Sequence, residues 1–179
     1  MSPVSGNEHL IQKEEPKSFR KEVFGNSVIL VNLICMTMIW ISSSFCYYLI
    51  SYQLKYIKGN IFINGIISSL SEIAAYLISG LLAARFGMKP TLIFSYTIAM
   101  MGMCALIWYD PEGEDVNQFL ISIMILGSKF GVSQAFNIAY IGNILLFPVT
   151  IVASTYGVCG IFARVSTIFA PFIAELKPI

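Results

Sequence analysis

Apolar blocks of about 20 residues recur along this chain, separated by short polar connections, and they restrict the fold more than any other feature. A helix needs about 20 residues to cross a hydrocarbon core of roughly 30 Å. Lipid offers no partner to an unpaired backbone amide, so blocks of this length are expected to be helices and not strands. Five are read: about 27–51, 61–84, 91–109, 118–146 and 149–173. The expected architecture is an all-α polytopic membrane protein. A polar segment, 1–26, precedes a five-helix domain, 27–174, and a short end, 175–179, follows it. Only 12% of the 179 residues are charged and 56% are hydrophobic, whereas a soluble domain carries about 25% charged residues.

Three ionisable residues break the pattern: Glu72, Lys129 and Arg164 each sit mid-block in a different span. A charge at bilayer depth costs roughly 2.5–3.5 kcal/mol on insertion scales, so such residues face a bundle interior or a polar cavity. With both signs present, they point to a protein that handles a charged or polar solute. Lys129 is expected either to favour anions or to pair with Glu72. Glu72 has a further option as a proton-coupling carboxylate, and Arg164 an alternative pairing with Glu72.

The remaining composition mostly excludes. Net charge is +1, which recommends neither nucleic acid nor an acidic partner. Cys35, Cys46, Cys104 and Cys159 all lie inside apolar blocks without CxxC spacing, and the one histidine, His9, is in the polar tail; no metal or cofactor is expected. No nucleophile with its base and no phosphate loop is present, so the chain does not read as an enzyme. The opening residues lack the apolar core of a signal peptide. Lys13, Lys17, Arg20, Lys21, Arg85 and Lys89 fall on one side of the expected helices and Lys55 and Lys58 on the other, while the connection from Asp110 to Asn117 holds four acids and no base. That bias places the N-terminal segment in the cytoplasm.

Between the second and third blocks stands Ala84-Arg85-Phe86-Gly87-Met88-Lys89. This turn resembles the D-R-x-G-R-R/K turn of major facilitator transporters, with Arg85, Gly87 and Lys89 matching the gating motif. From about Asn32 onward the chain resembles the second half of that superfamily's organic cation, anion and carnitine transporters. Trp40 and Tyr47 are spaced as in the family's seventh helix, and a Gly59-Asn60 pair follows. Glu72-Ile73-Ala74-Ala75 resembles its E-x-P-A. Gly127-Ser128-Lys129, with Phe136 and then Pro148, resembles the tenth helix. Ala163-Arg164-Val165, Ile168 and Ala170-Pro171-Phe172 resemble the eleventh, S/A-R-x-G-x-I-x-A-P-F.

The resemblance implies a partial major facilitator half-bundle, helices seven to eleven. It implies transport of a small organic solute, an anion or a carnitine-like zwitterion, across a lipid bilayer, the plasma membrane being expected. Arg164, Lys129, Glu72, Tyr47, Phe136 and Trp40 become the candidate solute contacts, with arginine at the position of Arg164 favouring anions. Four family charges are absent: the turn has Ala84 for its acid and Met88 for its second arginine, and the E-L-x-P-T-x-x-R segment has Leu145 for its acid and Val152 for its arginine. The resemblance also implies an N-terminal half as partner, in the same parent chain or a separate subunit. The alternative is a shortened relative that binds or regulates other membrane proteins without moving solute.

Overall fold

The computed structural model describes residues 23–54, 61–108 and 118–176. Outside them lie the tail cations Lys13, Lys17, Arg20 and Lys21, the loop residues Lys55, Lys58, Gly59 and Asn60, and the acidic connection from Asp110 to Asn117.

From Ser27 onward, six helices follow one another within the described residues: α1 Ser27–Gln53, α2 Ile61–Phe86, α3 Met88–Trp108, α4 Gln118–Leu146, α5 Val149–Thr167 and α6 Phe169–Leu176. Five segments are long and apolar enough to cross a membrane, the fifth running through α5 and α6 from Val149 to Glu175. The expected all-helical five-span architecture is the observed one.

Local chemistry accounts for the helix ends. The Asn26 side chain accepts from the Val28 amide and so caps α1. Gly87 alone joins α2 to α3: its φ is +88°, and its N–H donates to Ala83 O at 3.0 Å. A left-handed residue of this kind closes a helix with little steric cost only when it lacks Cβ. The sequence reading started the third helix at Thr91, and the structure starts it at Met88. Pro90 therefore lies in the first turn of α3, where its missing N–H leaves no helical bond unmade. Pro148 precedes α5 in an extended conformation, φ −57° and ψ 147°, and ends α4. Pro171 cannot donate to Thr167 O, and the helix is interrupted at Ile168, four residues after Arg164.

Packing centres on α4, which contacts α1, α2 and α3, while α1 also holds α5 and α6. The α3–α4 contact is a small-residue crossing. A Cβ on Gly131 would lie 2.6 Å from both Ala99 N and Ser95 O, and one on Gly102 would lie 2.9 Å from Met124 O. Close backbone approach through Gly, Ala and Ser is how helices gain contact where lipid is as apolar as the side chains. One apolar cluster joins α1 to α5 through Met36, Trp40, Ile151 and Cys159. A second joins α1, α3 and α4 through Ile50, Ala99, Ile121 and Val132. The outward faces carry exposed Leu, Ile, Phe and Met, as a lipid-facing surface requires.

Candidate functional site: an aromatic cleft between two charge centres

Seven residues separate Trp40 from Tyr47 on α1, two helical turns, so both rings face the same neighbour. That neighbour is α4, where Phe136 and Tyr140 are one turn apart. Trp40 meets Tyr140 at 4.5 Å between ring centroids, and Tyr47 stacks on Phe136 at 5.8 Å with planes 14° apart. Phe136 and Tyr140 meet edge to face at 5.0 Å. Tyr156 of α5 closes the cluster, 5.5 Å from Trp40, and its hydroxyl donates to Tyr140 O at 2.6 Å. Such ring geometries add roughly 0.5–1.5 kcal/mol per pair beyond area burial. They also fix the wall of a cleft.

This open cleft has a cavity volume of about 120 Å³ and is bordered by Trp40, Ser44, Tyr48, Phe136, Tyr140 and Arg164. Gly160 and Ala163 lie on its α5 side, one turn and one residue before Arg164, and their small side chains leave it room. Arg164 itself is exposed, in the last turn of α5, where the helix dipole favours a cation. Its guanidinium has no ion-pair partner among the described residues.

The other two charges are together. Lys129 Nζ lies 2.7 Å from Glu72 Oε1 and donates to Ser68 Oγ at 2.6 Å. The Tyr47 hydroxyl donates to Glu72 Oε2 at 3.0 Å. Ser68 is one helical turn before Glu72, so both reach Lys129 from the same face of α2. The Lys129 and Glu72 side chains are 7% and 19% exposed. Of the pairings that the sequence left open, the structure selects Glu72 with Lys129 and leaves Arg164 apart.

Five sequence-singled residues thus form one contiguous unit: Glu72, Lys129, Tyr47, Phe136 and Trp40. Of the five, Trp40 and Phe136 border the cleft, and Arg164 borders it from α5. The turn residues do not join it. Arg85 ends α2 and is exposed, and Lys89 borders a separate apolar cleft with Asn32, Met36 and Met88.

Sequence reasoning passed over Ser68 and Tyr156 as site residues. The i, i+4 spacing of Ser68 and Glu72 could have revealed the first, whereas nothing local marks the second. Asn137 makes an interhelical bond, donating to Ser79 Oγ at 2.7 Å. Asn143, nearly two turns further along α4, is fully buried with neither amide atom partnered among the described residues.

No protein-family model matches the chain. Individual relatives do. "Solute carrier family 22 member 15" of Xenopus tropicalis is 29% identical over 161 residues, covering 87% of this chain and 30% of the relative. The human "Organic cation/carnitine transporter 2" is 25% identical over 139 residues, 78% of this chain and 24% of the relative. "Organic cation/carnitine transporter 4" of Arabidopsis thaliana is 26% identical over 160 residues, 87% of this chain and 29% of the relative. The chain therefore spans less than a third of the length of these curated relatives. With five membrane-length helices, it is an integral membrane protein whose helices fit part of a major facilitator bundle. Its homologues are the organic cation/carnitine transporters and their kin in solute carrier family 22.

Proposed function

We propose that this chain forms part of a major facilitator transporter that moves an organic anion or zwitterion across the plasma membrane, its N-terminal end in the cytoplasm. One observation carries the sign of the solute: Arg164 borders the cleft unpaired among the described residues, while Glu72 and Lys129 neutralise each other. The site's net field is then that of one guanidinium. An arginine fork matches a carboxylate in bidentate geometry, and a dry site strengthens the contact. Trp40, Tyr48 and Tyr140 present ring surface to the rest of the solute, including the cationic end of a zwitterion.

Transporters of this class place the solute near the midplane between two half-bundles that rock about it. A second half, from the same parent chain or a partner, supplies the opposite wall. Gly87 and the adjacent cations Arg85 and Lys89 form the cytoplasmic turn. With Ala84, Leu145 and Val152 in place of charges, that side holds fewer ionic latches than the family pattern.

Binding is measurable on this chain in nanodiscs. Of its two tryptophans, Trp108 is 93% exposed and Trp40 borders the cleft. In a Trp108→Phe background, phenylacetate is expected to quench Trp40 saturably, and Arg164→Ala to remove the saturable component. Equal quenching with and without Arg164 would defeat the proposal. The second reading, a relative that binds or regulates other membrane proteins without moving solute, draws on Leu145 and Val152 in place of the family's acid and arginine around Pro148, and expects no saturable phenylacetate signal.

A further inference from the structure

The turn from α2 to α3 carries two cations that the described residues do not neutralise. Arg85 ends α2 and Lys89 opens α3, and both side chains are exposed. Arg85 sits at the end of its helix that favours a cation, but Lys89 sits in the first turn of α3, where the helix dipole is itself positive. The acids among the described residues are Glu72 and Glu175. Glu72 is committed to Lys129 at 2.7 Å, and Glu175 lies in α6, at the opposite end of the bundle. The counter-ion of this positive corner therefore comes from outside the described bundle.

An apolar cleft opens on either side of the corner. One, of about 270 Å³, lies between α1, α3 and α4 and is bordered by Lys89, Met36, Ile39 and Leu92. From Asn32 to Ile39 it follows α1 for about 10 Å toward the membrane interior. The other, of about 340 Å³, lies between α2 and α3 and is bordered by Leu82, Phe86 and Phe94. Arg85 follows Leu82 by one turn on the same face of α2. Leu92 and Phe94 stand two residues apart on α3, which puts them on opposite faces of the helix, so the two clefts straddle it. Paired cations above two apolar slots match the build of a two-chain anionic phospholipid. A free phosphate would leave the slots unused, and a single-chain anion would leave one of them.

We propose that the α2–α3 turn binds one anionic phospholipid, its phosphate seated on Arg85 and Lys89 and its two acyl chains lying one in each cleft, astride the start of α3. The lipid supplies the negative charge that the corner lacks. It also braces α3, which packs mainly on α4, against α1 on one side and α2 on the other. The inference is independent of the Arg164 cleft, which lies elsewhere in the bundle.

The test reads lipid selectivity from phospholipids with brominated chains, which quench a nearby tryptophan. Phe94→Trp and Leu92→Trp, each in a Trp108→Phe background, place one reporter in each cleft, while Trp40, 4% exposed, adds a constant. With the full chain in phosphatidylcholine vesicles, brominated phosphatidylglycerol is expected to outcompete brominated phosphatidylcholine about fivefold or more at both reporters. Trp108 of the parent, 93% exposed at the far end of α3, should show no such preference. Arg85→Gln with Lys89→Gln should bring both ratios close to one. Should that double substitution prevent isolation, Lys89→Gln alone is expected to lower them by at least half. Ratios near one with the cations intact, as a carboxylate of the N-terminal segment seated on the turn would give, overturn the inference. So does a preference at one reporter only, an equal preference at Trp108, or a preference that survives loss of the cations.

Discussion

Two cation sites at membrane depth in the same bundle are solved in opposite ways. Lys129 is buried and its charge is neutralised by Glu72, Ser68 and the face of Tyr47. Arg164 is exposed and its charge faces a cleft with no ionic partner among the described residues. The difference follows from which helix carries each. Lys129 sits on α4, which is surrounded by three others, so any unpaired charge there would be sealed in. Arg164 sits on α5, which packs mainly on α1 and leaves one face uncovered.

The comparison is broken most violently by removing half of the buried pair. Glu72→Gln is expected to cost about 3–5 kcal/mol, because Lys129 keeps its charge and loses its counter-ion. The double variant E72Q/K129M should recover most of that loss, as apolar or neutral replacements of whole buried pairs often do. Thermal unfolding in nanodiscs checks both.

Arg164→Ala should behave in the reverse sense. Stability is expected to stay within about 0.5 kcal/mol, while phenylacetate affinity falls by about 1.5–3 kcal/mol, the worth of a charged hydrogen bond. Titration of Trp40 fluorescence separates the two quantities. If instead the arginine variant unfolds, the contrast between the two sites is wrong.

Smaller changes sharpen it. Tyr47→Phe removes one donor from Glu72 Oε2 and should cost ~1 kcal/mol of stability, with a modest loss of anion affinity as the ring loosens on Phe136. Raising salt is the mildest perturbation. Phenylacetate binding should weaken as ionic strength rises from about 0.01 to 0.15 M, whereas unfolding temperature, governed by a pair shielded from water, should hardly move.

Much of this was legible in the sequence because lipid makes apolar length decisive. Blocks of about 20 residues became helices, and the three mid-block charges named the depth of the site. Azimuth was not legible. Hydropathy tells how deep Lys129 and Arg164 lie but not which way they point, so the partner of Glu72 stayed open until helix packing chose it. The aromatic wall had a local signal in the seven-residue spacing of Trp40 and Tyr47. Tyr156 had none, since its meeting with Trp40 depends on how α5 crosses α1. The α3–α4 crossing at Gly131 and Gly102 was likewise invisible, because a glycine in an apolar run looks the same whether it meets lipid or a backbone. Proline chemistry was half legible. Pro171 was seen near the end of the last block, but the interruption at Ile168 follows from the bond it cannot make one turn earlier.

The central place of α4 carries a consequence for biogenesis. Half of its spanning segment is buried inside the bundle, against 17–28% for the others, and it is the least apolar of the five. Besides Lys129 it carries Gln134, Asn137 and Asn143. Such a helix gains least from lipid when it leaves the translocon alone. Chain order supplies the remedy: α2 is synthesised first, so Glu72 and Ser68 are already in the membrane when Lys129 emerges. Membrane entry of α4 should then be helped by α2 at its side. The emergence of α4 would be the earliest moment at which this bundle has an interior.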